Sequence, residues 1–119
     1  MFNRIEHAAF MVKDCDASKQ FYQEHFGFKV RLEMNSPAPG LKKIIFITLG
    51  DTELELIETT EPPKISGCHI CLGTDNFDDD FQRLTAADIK VAQQPVPASA
   101  DRKRAAFHGP DGEEIEIIG

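Results

Sequence analysis

The chain is 119 residues long, 41% apolar and 28% charged, with a formal net charge of −7 from 13 Lys and Arg against 20 Asp and Glu. That length and balance suit one soluble globular domain, and the acidic excess disfavours a nucleic-acid partner, whose phosphates call for a basic face. The richest apolar run, Ile44-Ile45-Phe46-Ile47, is strand-sized against the roughly 20 residues that span a bilayer, and no signal-peptide stretch opens the chain. Three cysteines, an odd count, point to reduced thiols and a cytoplasmic location.

In chain order, Ile5-Glu6-His7-Ala8-Ala9-Phe10-Met11-Val12 predicts a strand with a histidine near its start. A helix follows over Asp14–Phe26, with Asp14 or Asp16 as cap, Ala17 and Phe21 four apart, and Gly27 as the stop. Strands are expected over Phe28–Met34, Lys42–Leu49 and Thr52–Glu58, the last two joined by the tight turn Gly50-Asp51. Asn35–Gly40 reads as a loop. Beyond the connection Glu61-Pro62-Pro63-Lys64, Gly67-Cys68-His69-Ile70-Cys71-Leu72-Gly73 is again strand-like with an early histidine. A second helix over Asn76–Ala87 carries Phe77, Phe81 and Leu84 at helical spacing, with Asp78, Asp79 and Asp80 in its first turn. Then come a short strand near Ile89–Ala92, a stretch that Pro95 and Pro97 demote to edge or loop, and strands over Arg104–His108 and Glu113–Ile118 about Gly109-Pro110-Asp111-Gly112.

The order βαβββ is thus written twice, module 1 over about residues 1–60 and module 2 over about 66–119 of a single domain of 1–119. The offsets agree: His7 to Glu55 is 48 positions and His69 to Glu116 is 47, while Phe46 and Phe107 each precede their glutamate by nine. Leu54-Glu55-Leu56-Ile57 and Ile115-Glu116-Ile117-Ile118 share one pattern. An α+β fold follows, with two βαβββ modules about a pseudo-twofold axis and a curled, mostly antiparallel sheet around a cavity. Its core is expected from Phe10, Phe21, Phe46, Leu54, Phe81 and Ile115.

What stands at equivalent positions in both halves meets near such an axis. Those residues are His7 and His69, Glu55 and Glu116, each set in an otherwise apolar strand. Side chains alternate along a strand, so Glu55 points away from Leu54 and Leu56, and Glu116 away from Ile115 and Ile117. Two imidazoles and two carboxylates form a donor set for one divalent cation, accepting Ni, Zn, Co, Mn or Fe without choosing among them.

Cys68 and Cys71 are three apart on a strand, face opposite ways, and read as packing residues. Cys15 stands at a helix start, a position that lowers a thiol pKa, and is also read as structural. Arg102-Lys103-Arg104, the one basic cluster, leads into the strand before Glu116 and suits the anionic tail of a substrate.

These features resemble the vicinal oxygen chelate superfamily, which includes glyoxalases, bleomycin-resistance proteins and dioxygenases, along essentially the whole chain. Ile5-Glu6-His7, the helix end Phe21-Tyr22-Gln23-Glu24-His25-Phe26-Gly27-Phe28 and the closing Gly109-Pro110-Asp111-Gly112-Glu113-Glu114-Ile115-Glu116 carry the likeness. Gly109 departs from the usual Asp of the last motif. The resemblance implies metal positions at His7, Glu55, His69 and Glu116, a complete set like that of bacterial glyoxalase I. It implies a metal-dependent lyase/isomerase acting through an enediolate, with Glu116 or Glu55 taking and returning the proton. The substrate would be a small molecule, such as a glutathione or coenzyme A thioester, with no membrane partner and with a homodimer as the assembly. The alternatives are an epimerase of the methylmalonyl-CoA epimerase type, which typically places Gln at position 55, and a non-catalytic binding or resistance protein, of which the bleomycin-binding members lack the donor set. A ring-cleaving dioxygenase would leave Glu55 without a role.

Overall fold

A computed structural model describes residues 1, 6–36, 38–61, 69–99 and 101–119. The chain divides into two units, Met1–Lys64 and Ile65–Gly119. The first holds β1 (Ala8–Val12), α1 (Cys15–Phe26), β2 (Lys29–Asn35), β3 (Leu41–Leu49) and β4 (Thr52–Thr59). The second holds β5 (His69–Gly73), α2 (Phe77–Ala86), β6 (Val91–Ser99), β7 (Arg102–His108) and β8 (Glu114–Ile118). This is the expected α+β fold of two βαβββ modules. Each module has a four-stranded mixed sheet, ordered β1-β4-β3-β2 and β5-β8-β7-β6. The first strand of each unit runs parallel to the last, and the remaining pairs are antiparallel. Among the described residues, no helix is long and apolar enough to cross a membrane. Ile5, Pro37, Cys68 and the connection at 62–64 lie outside the described residues.

Helix α1 forms where the sequence supplies both ends. Asp14 is extended at the N-cap and its carboxylate accepts from the Ala17 N–H at 3.0 Å. Gly27 takes the left-handed conformation that ends the helix (φ 74°). The buried stripe runs through Cys15, Ser18 and Tyr22, so Ala17 is exposed and Phe21 only half-buried, one position off the expected face. Helix α2 begins differently: Asn76 makes no side-chain cap, and Thr74 accepts from the Asn76 N–H while donating to Asp80.

One face of each sheet is the core. In the first unit Phe10, Leu56 and Ile45 stand in one cross-strand row and Leu54 and Ile47 in the next, all buried. In the second unit Phe107 opposes Ile115 and Ala105 opposes Ile117, all four buried. Each large apolar side chain so buried contributes about 1.5–3 kcal/mol relative to an exposed one. Phe46 is a correction. It opposes Glu55 in the register and therefore shares that residue's face, not the core. The reason lies in the hairpins: β3 and β4 are separated by two residues and β7 and β8 by five. That odd difference flips side-chain direction, so an equal nine-residue offset leaves Phe46 on the open face and Phe107 in the core. Phe81 is half-buried, its ring 5.5 Å from that of Phe107.

Pro95 and Pro97 do not shorten β6. It runs the full nine residues as the sheet's edge strand, broken by three register shifts, where missing N–H donors cost nothing to a neighbour. Glu113, expected as the start of the last strand, instead folds into the turn. It is 1% exposed, and its carboxylate accepts from the Asp111 N–H at 2.9 Å. A Cβ on Gly109 would sit 2.3 Å from that carboxylate. One acidic side chain fills this turn, and here it comes from position 113 instead of 109.

Cys15 is not activated by its helix start. It is fully buried, its Sγ donates to the Leu56 carbonyl at 3.3 Å, and burial with the Glu58 carboxylate nearby pushes the thiol from 9.0 up to about 12.

Gly109→Asp should lower stability by about 1–3 kcal/mol through the clash, and Glu113→Ala in the same chain should recover much of that loss. Urea midpoints of the two single variants and the double variant read this coupling, and additive effects would contradict it. In a Cys68→Ser background at pH 8, a thiol reagent should label the exposed Cys71 in the native protein and reach Cys15 only on unfolding. Because native Cys15 keeps its proton where the unfolded thiol ionises, its contribution to stability should decline as pH rises from 9.0 toward about 12.

Candidate metal centre

The parallel pairing of β1 with β4 places Ala9 opposite Glu55. His7, two residues before Ala9, comes to the same face. Its Nε2 lies 3.1 Å from Glu55 Oε2, with side-chain exposures of 39% and 14%. The Phe46 ring meets the imidazole edge-on, centroids 5.7 Å apart at 82°. On the side toward Met11 and Met34 the open face is apolar. Met11, Ile57, Ile44 and Met34 form one row across the four strands, and Phe46 and Leu32 continue the row of Glu55. Met11, Leu32 and Met34 are the large apolar side chains of this face left exposed.

The second unit repeats the arrangement. β5 pairs parallel with β8 so that Cys71 opposes Glu116, and His69, two residues earlier, is on the same face. The Cys71 Sγ donates to Glu116 Oε1 at 3.5 Å, and burial together with that carboxylate raises its pKa. Ala106 opposes Glu116 and His108 opposes Glu114, so this face is small and polar where the first is apolar. Arg104 opposes Ile118 and stands on the Glu116 face, with Arg102 two positions away on the same side. Both guanidinium groups are near enough to act on the Cys71 thiol in the lowering direction. Lys103 turns to the other face, where it pairs with Asp78 at 2.9 Å and lies 5.9 Å from the Phe77 ring.

Each unit therefore holds half of the expected donor set, and among the described residues neither gathers three metal-ligating side chains at one point. The first half fits a cation in spacing as well as chemistry. Donor atoms about 2.1 Å from one ion, at right or tetrahedral angles, lie roughly 3.0–3.4 Å apart, which brackets the 3.1 Å of His7 and Glu55. An imidazole–carboxylate hydrogen bond has that length too; in the other unit His69 and Glu116 stand at the equivalent register, with Glu116 accepting from Cys71. Phe46, Arg31, Cys71 and His108 join these faces unforeseen. Hairpin-loop length, which decides what stands opposite each glutamate, could have placed Phe46 and His108, whereas Arg31 depends on a bulge in β2 and Cys71 on the parallel pairing of β5 with β8.

A sequence model of the glyoxalase/bleomycin resistance protein/dioxygenase superfamily matches residues 4–117. The Bacillus subtilis (strain 168) protein YwbC is 30% identical over 125 residues, covering 99% of this chain and 98% of its own. Mitochondrial methylmalonyl-CoA epimerase of Bos taurus is 25% identical over 118 residues, 90% of this chain and 67% of its own. Two solved structures share the fold. One is a glyoxalase I variant from Zea mays, with a TM-score of 0.82 at 21% identity, matching 97% of this chain and 44% of that one. The other is a variant of the Listeria monocytogenes fosfomycin resistance protein FosX complexed with Mn(II) and 1S,2S-dihydroxypropylphosphonic acid. It has a TM-score of 0.80 at 18% identity, over 98% of this chain and 92% of its own.

Proposed function

The chain belongs to the glyoxalase/bleomycin resistance protein/dioxygenase superfamily, and from that premise we propose that it is a divalent-metal-dependent lyase/isomerase of the glyoxalase I type. The observation that carries this reading is the His7–Glu55 contact on an open sheet face, matched in register by His69 and Glu116. These four residues would hold one ion among Ni, Zn, Co, Mn and Fe. When bound, the ion supplies Lewis acidity to vicinal oxygens of a small substrate.

The chain's own groups do the rest. Glu55 or Glu116 takes a proton from the carbon next to the substrate carbonyl and returns it to the neighbouring carbon, general base and then general acid. The apolar face of Met11, Leu32, Met34 and Phe46 keeps water from the reacting carbons. Arg102 and Arg104 meet an anionic tail, such as a glutathione carboxylate or a coenzyme A phosphate, while Lys103, expected to join them, is paired with Asp78 on the other face. The protein works as a homodimer.

The bovine relative favours a second reading, a metal-dependent epimerase of a 2-substituted acyl-CoA. Glu55 weighs toward the first, because the epimerase pattern has Gln there.

Activity on the hemithioacetal of methylglyoxal and glutathione, with none on methylmalonyl-CoA, is the expected outcome; the reverse selects the epimerase. Activity on neither, with tight ligand binding and no metal, selects a binding protein. His7→Ala and His69→Ala should lose metal and turnover together. Glu116→Gln should lose turnover by 10²-fold or more, on the order expected for removing an acid–base group, while retaining some metal. Elemental analysis, thermal unfolding and rates on each variant check this. Parent-like metal content and rates in both histidine variants would overturn the chelate reading.

A further inference from the structure

Arg31 is the extra residue of a β-bulge. Val30 opposes Ile47 and Leu32 opposes Phe46, so β2 spends two residues where β3 spends one. Bulges re-aim side chains, and this one brings Arg31 onto the open face of the first sheet. There the guanidinium carbon lies 5.0 Å from the Phe46 ring centroid. The guanidinium is also forked onto Glu53, Nη2 to Oε1 at 2.8 Å and Nε to Oε2. Glu53 is two positions before Glu55 on the same strand and face. The imidazole of His7 is edge-on to the same Phe46 ring.

The chain of contacts is therefore Glu53, Arg31, Phe46, His7, Glu55. Stacking on a ring face and a two-point fork hold an arginine in one orientation better than either does alone. An arginine so held fixes the ring, and the ring limits how the imidazole can turn. An anion-binding role fits less well. Glu53 already neutralises Arg31, and the hollow beside it is also lined by Glu6 and Asp51.

We propose that Arg31 is a positioning residue of the first half-site, orienting His7 for metal through Phe46. The proposal rests on the metal reading above, and the test separates the two. Co(II) affinity is measured by chelator competition, with the visible Co(II) spectrum as a report on geometry, for the parent, His7→Ala, Arg31→Ala, Arg31→Lys, Phe46→Leu and the Arg31→Ala/Phe46→Leu double variant. Circular dichroism and urea midpoints establish that each is folded.

Arg31→Ala should weaken Co(II) binding about tenfold, the low end of the range for groups that orient metal ligands, and should alter the spectrum. Arg31→Lys, which keeps the cation but not the fork, should recover part of the loss. Phe46→Leu should weaken binding similarly, and adding Arg31→Ala to it should change little, because the two act in series. Parent-like Co(II) affinity in Arg31→Ala overturns the proposal while leaving the metal reading intact. Additive losses in the double variant also overturn it. A parent that binds no Co(II), or a His7→Ala variant that binds it equally well, removes the metal reading and this role with it.

Discussion

Everything at the candidate centre depends on one pairing, made twice: the first strand of each unit lies parallel to its last. In a parallel pair, opposed residues share a face, so the register decides which side chains meet. With Ala9 opposite Glu55 and Cys71 opposite Glu116, a histidine two residues earlier in each first strand comes to the carboxylate's face. The opposite face of the same strands carries Phe10, Leu54 and Leu56, or Ile115 and Ile117, buried in the core. Burial thus pins the register: a slip of one residue would turn Leu56 to solvent and Glu55 to the helix side, losing apolar burial and stranding a charge. The donors stay aligned because the core cannot slip.

Much of this was legible in the residues. The repeat, the element order and the alternation around Glu55 and Glu116 rest on local patterns, and local patterns decide strands and caps. Asp14 and Gly27 could be read as helix ends because each has a conformational reason to be there. What escaped depends on non-local register. The equal nine-residue offsets of Phe46 and Phe107 looked like equivalence, and hairpins of unequal length placed one on the open face and the other in the core. The Arg31 bulge leaves no mark on periodicity, since one inserted residue is invisible until the partner strand is known. Likewise the basic cluster reads as one feature in sequence, yet strand alternation sends Lys103 to Asp78 and leaves Arg102 and Arg104 beside Glu116.

The two halves keep the same donors but differ around them. The first presents methionines, leucine and phenylalanine, with its arginine neutralised by Glu53; the second presents Cys71, His108, Arg102 and Arg104. The open faces of the two modules keep His7 with His69 and Glu55 with Glu116, and also Glu53 with Glu114 and Ile57 with Ile118.

The central claim is that each module contributes one imidazole and one carboxylate to a single ion. X-ray absorption on protein loaded to saturation with Zn(II), combined with its metal-to-protein ratio, tests that most directly. The account predicts one ion per pair of modules, with two imidazole nitrogens among its donors and the rest oxygen. A single imidazole per ion with two ions bound per chain, or a sulfur donor in place of a carboxylate oxygen, would contradict it.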